Sequence, residues 1–211
     1  MSPAEIESLF ARSSGGYTFA RWVRPIAPVV FGVDDATLAV VKSAFEEVVA
    51  VAGHRMAETD PEQGANLMVF FCRDWQELLA VPDLDRLVDG LGGLVTRLEA
   101  EGANQYRHFR FEADGAIRAC IAFLRLDTSL ALQPARTVAL NLAVNAILLW
   151  SDTAFRVRPP LGENGGETVL RPDIAAVIRA GYDRAMPHVA SDASHALRLA
   201  ARVAAAGAGA S

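Results

Sequence analysis

Asn141 and Asn145 stand four residues apart inside an otherwise apolar run, residues 138–150. On a helix that spacing puts both amides on one side. A buried amide without partners costs roughly 1 to 3 kcal/mol, so the pair either holds a loop backbone or lines a polar cleft. Amides donate and accept hydrogen bonds but carry no charge and no useful basicity. The chemistry they support is recognition, and they are candidate binding residues together with Asp152 and Tyr182 further along the chain.

A catalytic alternative uses the carboxylates near residues 151–171. Asp152, Asp173 or Tyr182 would act on a small substrate as a hydrolase or transferase, with Arg156 and Arg158 drawn over by the loop. That reading requires one carboxylate of the set within hydrogen-bond reach of another titratable group in a concave pocket. His108 and Cys120 are a weaker pair, because Cys72 and Cys120 both lie in apolar, strand-like runs, where a thiol behaves as a small hydrophobe rather than a nucleophile. The histidines His54, His108, His188 and His195 are scattered, and only the last two are close, seven residues apart. No H-E-x-x-H, Walker A, dinucleotide or G-x-S-x-G signature is present. No metal and no cofactor are expected.

The formal charge of −5 and an isoelectric point near 5.4 leave no global positive field for a phosphate backbone, so nucleic acid is not an expected partner. Hydrophobic residues make up 52% of the chain and charged residues 21%, which excludes extensive disorder. The apolar run at 138–150 is interrupted by its two asparagines and falls short of the roughly 18 residues a membrane span needs. The first twelve residues carry Glu5 and Glu7 and lack the pattern of a secretory signal, which predicts a cytoplasmic protein.

The elements that must position these side chains follow from periodicity and punctuation. Ser2, Pro3 and Glu5 announce a short helix to residue 12. Residues 21–31 read as extended, with Pro25 and Pro28 placing them at a sheet edge. Asp34 or Asp35 caps a helix to residue 52, whose Leu38, Val41, Phe45, Val48 and Val49 recur at helical steps. Residues 66–72 form a strand covered on both faces. A short helix at 74–81 precedes a second with Leu84, Leu87, Leu91, Leu94 and Leu98 on one stripe, weakened by Gly90, Gly92 and Gly93. Asp114-Gly115 joins strands at 105–112 and 116–126 into a hairpin. The helix carrying Asn141 and Asn145 is apolar nearly all round and must be enclosed. Residues 151–171 show no clear element, and two helices follow at 172–185 and 192–205, with residues 204–211 a fraying tail.

This order of parts resembles a bacterial family of uncharacterised zincin-like domains over residues 20–188. The residues that carry the resemblance are the helix run Asn141-Leu-Ala-Val-Asn-Ala-Ile-Leu-Leu-Trp-Ser-Asp152, then Arg171-Pro172-Asp173 and Gly181-Tyr182-Asp183-Arg184-Ala185-Met186-Pro187. In that family the central helix has paired glutamates, a glutamine four residues after the first, and a following Asn-Asp. The resemblance sets Asn141 at the first glutamate, Leu142 at the second, Asn145 at the glutamine and Ser151-Asp152 at the closing pair. It implies a zincin-like arrangement around a central buried helix whose metal-binding motif is degenerate. Zinc chemistry needs anionic or imidazole ligands and a general base, which two amides do not supply.

The expected fold class is therefore α+β, a small mixed or antiparallel sheet with a hairpin, packed by helices. Residues 1–188 form one domain and 189–211 a C-terminal helix and tail. The expected function is noncatalytic binding of a protein partner or small ligand through the polar cleft. The alternatives are the small-substrate enzyme described above and a structural or assembly subunit that docks through its terminal helices.

Overall fold

A computed structural model describes residues 1–57 and 64–208. Its elements, in chain order, are α1 (Pro3–Ser8), β1 (Phe19–Ala20), β2 (Pro28–Phe31), α2 (Asp35–Val51), β3 (Leu67–Cys72), a 3-10 turn (Trp75–Ala80), α3 (Leu84–Leu87), α4 (Leu91–Ala100), β4 (Gln105–Phe111), β5 (Ile117–Arg125), α5 (Thr128–Ala131), α6 (Ala135–Ile147), β6 (Leu161–Asn164), β7 (Glu167–Leu170), α7 (Pro172–Gly181), β8 (Val189–Ala190) and α8 (Ser194–Ala208). The fold is mixed α+β, with small mixed and antiparallel sheets packed by helices.

Capping chemistry starts the helices where the sequence places it. Ser2 and Glu5 form a reciprocal capping box on α1, and the Asp34 carboxylate accepts from the Thr37 N–H at 2.8 Å to open α2. The main sheet has the order β2-β3-β5-β4, with β2, β3 and β5 parallel and β4 antiparallel to β5 across the Asp-Gly turn. Strand alternation then divides the core. Leu67, Val69, Phe71, Cys120, Ala122 and Leu124 belong to the core cluster that also holds the buried residues of α2, α6, α7 and α8, whereas Phe70, Cys72, Ile121 and Phe123 belong to the one formed with the 3-10 turn, α3 and α4. Coverage on both sides explains why β3 is apolar throughout. Gly32 leaves β2 at φ +83°, and a Cβ there would collide with the Phe71 carbonyl oxygen.

Three local expectations need correction. The single helix read from Leu84 to Leu98 is two, because Gly90 adopts a left-handed conformation (φ 69°) that ends one helical path and opens α4. Residues 151–171 are not structureless, since β6 and β7 pair through Gly165 and Gly166 at φ 59° and 83°. Two positive-φ central residues define the two-residue hairpin turn that matches strand twist. The helix read as ending at residue 205 continues to Ala208, while residues 209–211 of the expected tail lie outside the described residues.

The β6–β7 hairpin is fastened to α6 by a hydrogen bond of 2.6 Å between the Thr137 and Thr168 hydroxyls. Thr168→Val is expected to cost about 1 kcal/mol and to speed amide exchange in both strands, as measured by urea denaturation and hydrogen exchange. At the other end of the chain, α8 packs on α1 and α7, burying Ala196 and Leu199 in the same core cluster as the sheet. Leu197, on the opposite side of α8, is exposed. Among the described residues no helix is long and apolar enough to cross a membrane.

Candidate functional site

β4 is an edge strand, and its alternation sends Gln105, Arg107 and Phe109 toward α6 while Tyr106 packs on the opposite side of the sheet. α6 presents Thr137, Asn141 and Asn145 at four-residue steps along one stripe. Between strand and helix lies an open cleft of about 420 Å³, closed on its third side by Phe155, Pro159, Pro160 and Leu161.

The amides in this cleft form a short relay. The Asn145 side-chain NH₂ donates to the Asn141 backbone carbonyl at 2.8 Å and to Asn141 Oδ1 at 3.1 Å. Asn141 Nδ2 in turn donates to Gln105 Oε1 at 3.4 Å. Asn145 Oδ1 and Gln105 Nε2 have no partner among the described residues, so the relay offers an acceptor at one end and a donor at the other. All three side chains are half-buried.

Arg107 stands beside the relay and has neither a hydrogen-bond nor an ion-pair partner among the described residues. Burial holds its guanidinium below its ordinary pKa, opposed only by the nearby Cys120. Burial also pushes the Cys120 thiol up to about 12, so the neighbour is neutral. The residues lining the cleft include no carboxylate, imidazole or thiol. The arrangement can orient a ligand by hydrogen bonds and one positive charge; its one hydroxyl, that of Thr137, is hydrogen-bonded to Thr168.

Of the residues singled out by sequence, Asn141 and Asn145 come together here, whereas Asp152 and Tyr182 lie elsewhere. Asp152 accepts from the Ser13 N–H at 3.0 Å and from its hydroxyl, which hold its carboxyl below the usual value. Tyr182 is a helix-end cap: its hydroxyl donates to the Ile147 carbonyl at 2.8 Å and accepts from the Trp22 N–H at 3.4 Å. Burial pushes its pKa up. Asp173 is held by Arg171 at 2.5 Å and Arg158 at 3.3 Å; burial opposes its ionisation, but the arginines outweigh that and keep its pKa low. Arg156 donates to the Asp152 carbonyl at 3.1 Å.

The other pairings dissolve for simple reasons of direction. His108 sits opposite Ile121 and Phe109 opposite Cys120, so His108 and Cys120 point to different faces of the sheet. His188 meets Asp114 at 3.1 Å, whereas His195 is fully buried against Tyr17. Among the described residues no group of three or more His, Cys, Asp and Glu side chains is placed to hold a metal. Sequence reasoning did not place Gln105 and Arg107 in one site with Asn141 and Asn145. Their signal was the period-two alternation of β4 read against the helix it faces, which requires knowing that α6 and β4 are neighbours.

Comparison with family models, curated proteins and solved structures finds no match to this chain.

Proposed function

We propose that the protein binds a small ligand in the cleft between β4 and α6 and performs no chemistry on it, on a zincin-like scaffold whose central helix carries Asn141 and Leu142 where the family it resembles has paired glutamates. The observation that supports this most directly is the composition of the cleft. Asn141, Asn145 and Gln105 converge with open donor and acceptor positions, and the lining has no carboxylate, imidazole or thiol. A concave, partly apolar cleft with a few convergent polar groups is the usual form of a small-molecule site. The carboxylate-based enzyme finds no such support, because Asp173 is neutralised by two arginines and Asp152 serves a backbone turn.

An NMR titration of the isotope-labelled protein with a library of neutral and charged fragments tests the reading. Shifts are expected to cluster on the side-chain amides of Gln105, Asn141 and Asn145 and on Leu161. The double variant Asn141→Leu, Asn145→Leu is expected to remain folded, because both positions are half-buried, and to weaken cleft-binding fragments at least about tenfold through the loss of two or more hydrogen bonds. Fragments that bind only elsewhere, or bind the double variant equally well, would sink the proposal.

A further inference from the structure

We infer that Arg107 receives the carboxylate of a small organic acid, whose body lies against Phe155, Pro159, Pro160 and Leu161. The inference rests on the cleft being a binding site, and it names the class of ligand. Acids are plentiful in this chain, with 25 Asp and Glu against 20 Lys and Arg. Two other partly buried arginines use them, Arg171 on Asp173 at 2.5 Å and Arg136 on Glu47 at 2.8 Å, while Arg12, Arg21 and Arg110 donate to backbone carbonyls and Arg125 lies over the Trp75 ring. Arg107 is half-buried and faces amides, a neutral thiol and apolar side chains instead. A guanidinium that reaches an open cleft without a partner keeps both its charge and its planar fork for an incoming anion.

The number of charges selects the ligand. One guanidinium presents a planar fork that matches a carboxylate in a bidentate geometry. The remaining polar groups of the cleft are neutral, so a phosphate dianion would keep an uncompensated charge there. Gln105 lines the same cleft, and its Nε2 is an open donor available to a second carboxylate lone pair or a hydroxyl on the ligand. The proline and aromatic wall suits a compact apolar body.

The test uses matched probes: benzoate, phenylacetate and hexanoate, each against its primary amide, with inorganic phosphate as a further anion. Binding is followed by NMR on the Arg107 Nε–H and on the Gln105, Asn141 and Asn145 amides. In the wild type each acid that enters the cleft is expected to bind at least about tenfold more tightly than its amide, and phosphate is expected to leave the cleft signals unmoved. Arg107→Met is expected to bring acid and amide to equal affinity. Without ligand its melting temperature is expected to match or exceed that of the wild type, because an unpaired cation has been removed. Arg107→Lys keeps the charge without the fork and is expected to lose about tenfold for acids only. Equal binding of acids and amides by the wild type would overturn the inference while leaving the cleft a site for neutral ligands. A marked fall in the melting temperature of unliganded Arg107→Met would overturn it by assigning Arg107 to packing. Failure of every probe, acid or amide, to perturb the cleft would overturn the binding reading as well.

Discussion

Lowering the pH from 7 to 4 is expected to remove on the order of 3 kcal/mol of stability through His195 alone. This ring sits in the first turn of α8 with no exposed surface. Its Nδ1 lies 2.8 Å from the Tyr17 hydroxyl, its ring centroid is 4.4 Å from that of Phe19, and its Nε2 is buried without a partner. Burial raises the Tyr17 pKa, so the phenol keeps its proton and donates it to Nδ1. The neutral ring then carries its own proton on Nε2. Charging the ring would put a second proton on Nδ1, against a hydroxyl that already donates there, and would leave the cation buried among Phe19 and Tyr17. Burial and, secondarily, Arg198 lower the pKa from 6.5 to about 4.

Between those two values the unfolded chain binds more protons than the folded one, and stability therefore rises with pH across the window. The contribution is complete above about pH 6.5 and is lost as the pH falls toward 4. The capping and paired carboxylates have folded-state pKa values below 3.8, as for Asp34, Asp127 and Asp173, so their loss begins lower. Urea denaturation of wild type and His195→Phe at pH 7, 6, 5 and 4.5 isolates the ring: the wild type is expected to weaken steadily and the variant to stay nearly flat. Parallel curves for the two proteins would show that His195 titrates as freely when folded as when unfolded.

Periodicity disclosed most of the framework because both faces of the main sheet are covered, which writes itself into the apolar runs of β3 and β5. Caps at Ser2, Asp34 and Asp74 were equally readable, each being a short polar side chain placed before a helical or 3-10 segment. The hairpin at β6 and β7 was not, because its strands carry Glu163, Asn164, Glu167 and Thr168 and so lack the apolar alternation that marks a half-buried strand. The candidate site was half visible. Asn141 and Asn145 stood out as polar residues in an apolar helix, a contrast that needs no partner to be noticed. Arg107 sits among other arginines of a polar strand, and only the topology separates it from Arg110 on the opposite face. Tyr182 was misjudged because a tyrosine that caps a helix end and a tyrosine that lines a cleft look the same in sequence.

That helix end governs the other large effect. The last carbonyls of an α-helix have no partners within it, and α6 ends inside the core, where water cannot serve them. Three aromatic side chains do so instead: Trp150 Nε1 donates to the Val144 carbonyl at 2.7 Å, Trp22 Nε1 to Ala146 at 2.8 Å and the Tyr182 hydroxyl to Ile147 at 2.8 Å. Trp22 contributes most, since it is fully buried and its backbone also bridges to Ile117 of β5. Trp22→Ala is expected to destabilise the protein by about 3 to 5 kcal/mol, combining lost burial with the cavity left behind. Trp22→Phe keeps most of the volume but strands the Ala146 carbonyl, and is expected to cost about 1 to 3 kcal/mol. Hydrogen exchange then distinguishes a cap from mere filling: Trp22→Phe should speed exchange in the last turn of α6 more than in β3. If Trp22→Phe is as stable as the wild type, the indole N–H contributes nothing and the end of α6 is held by packing alone. Because Asn145 lies in the same last turns of α6, a helix end loosened by Trp22→Phe should also weaken any ligand held in the cleft, with no change in the residues that touch it.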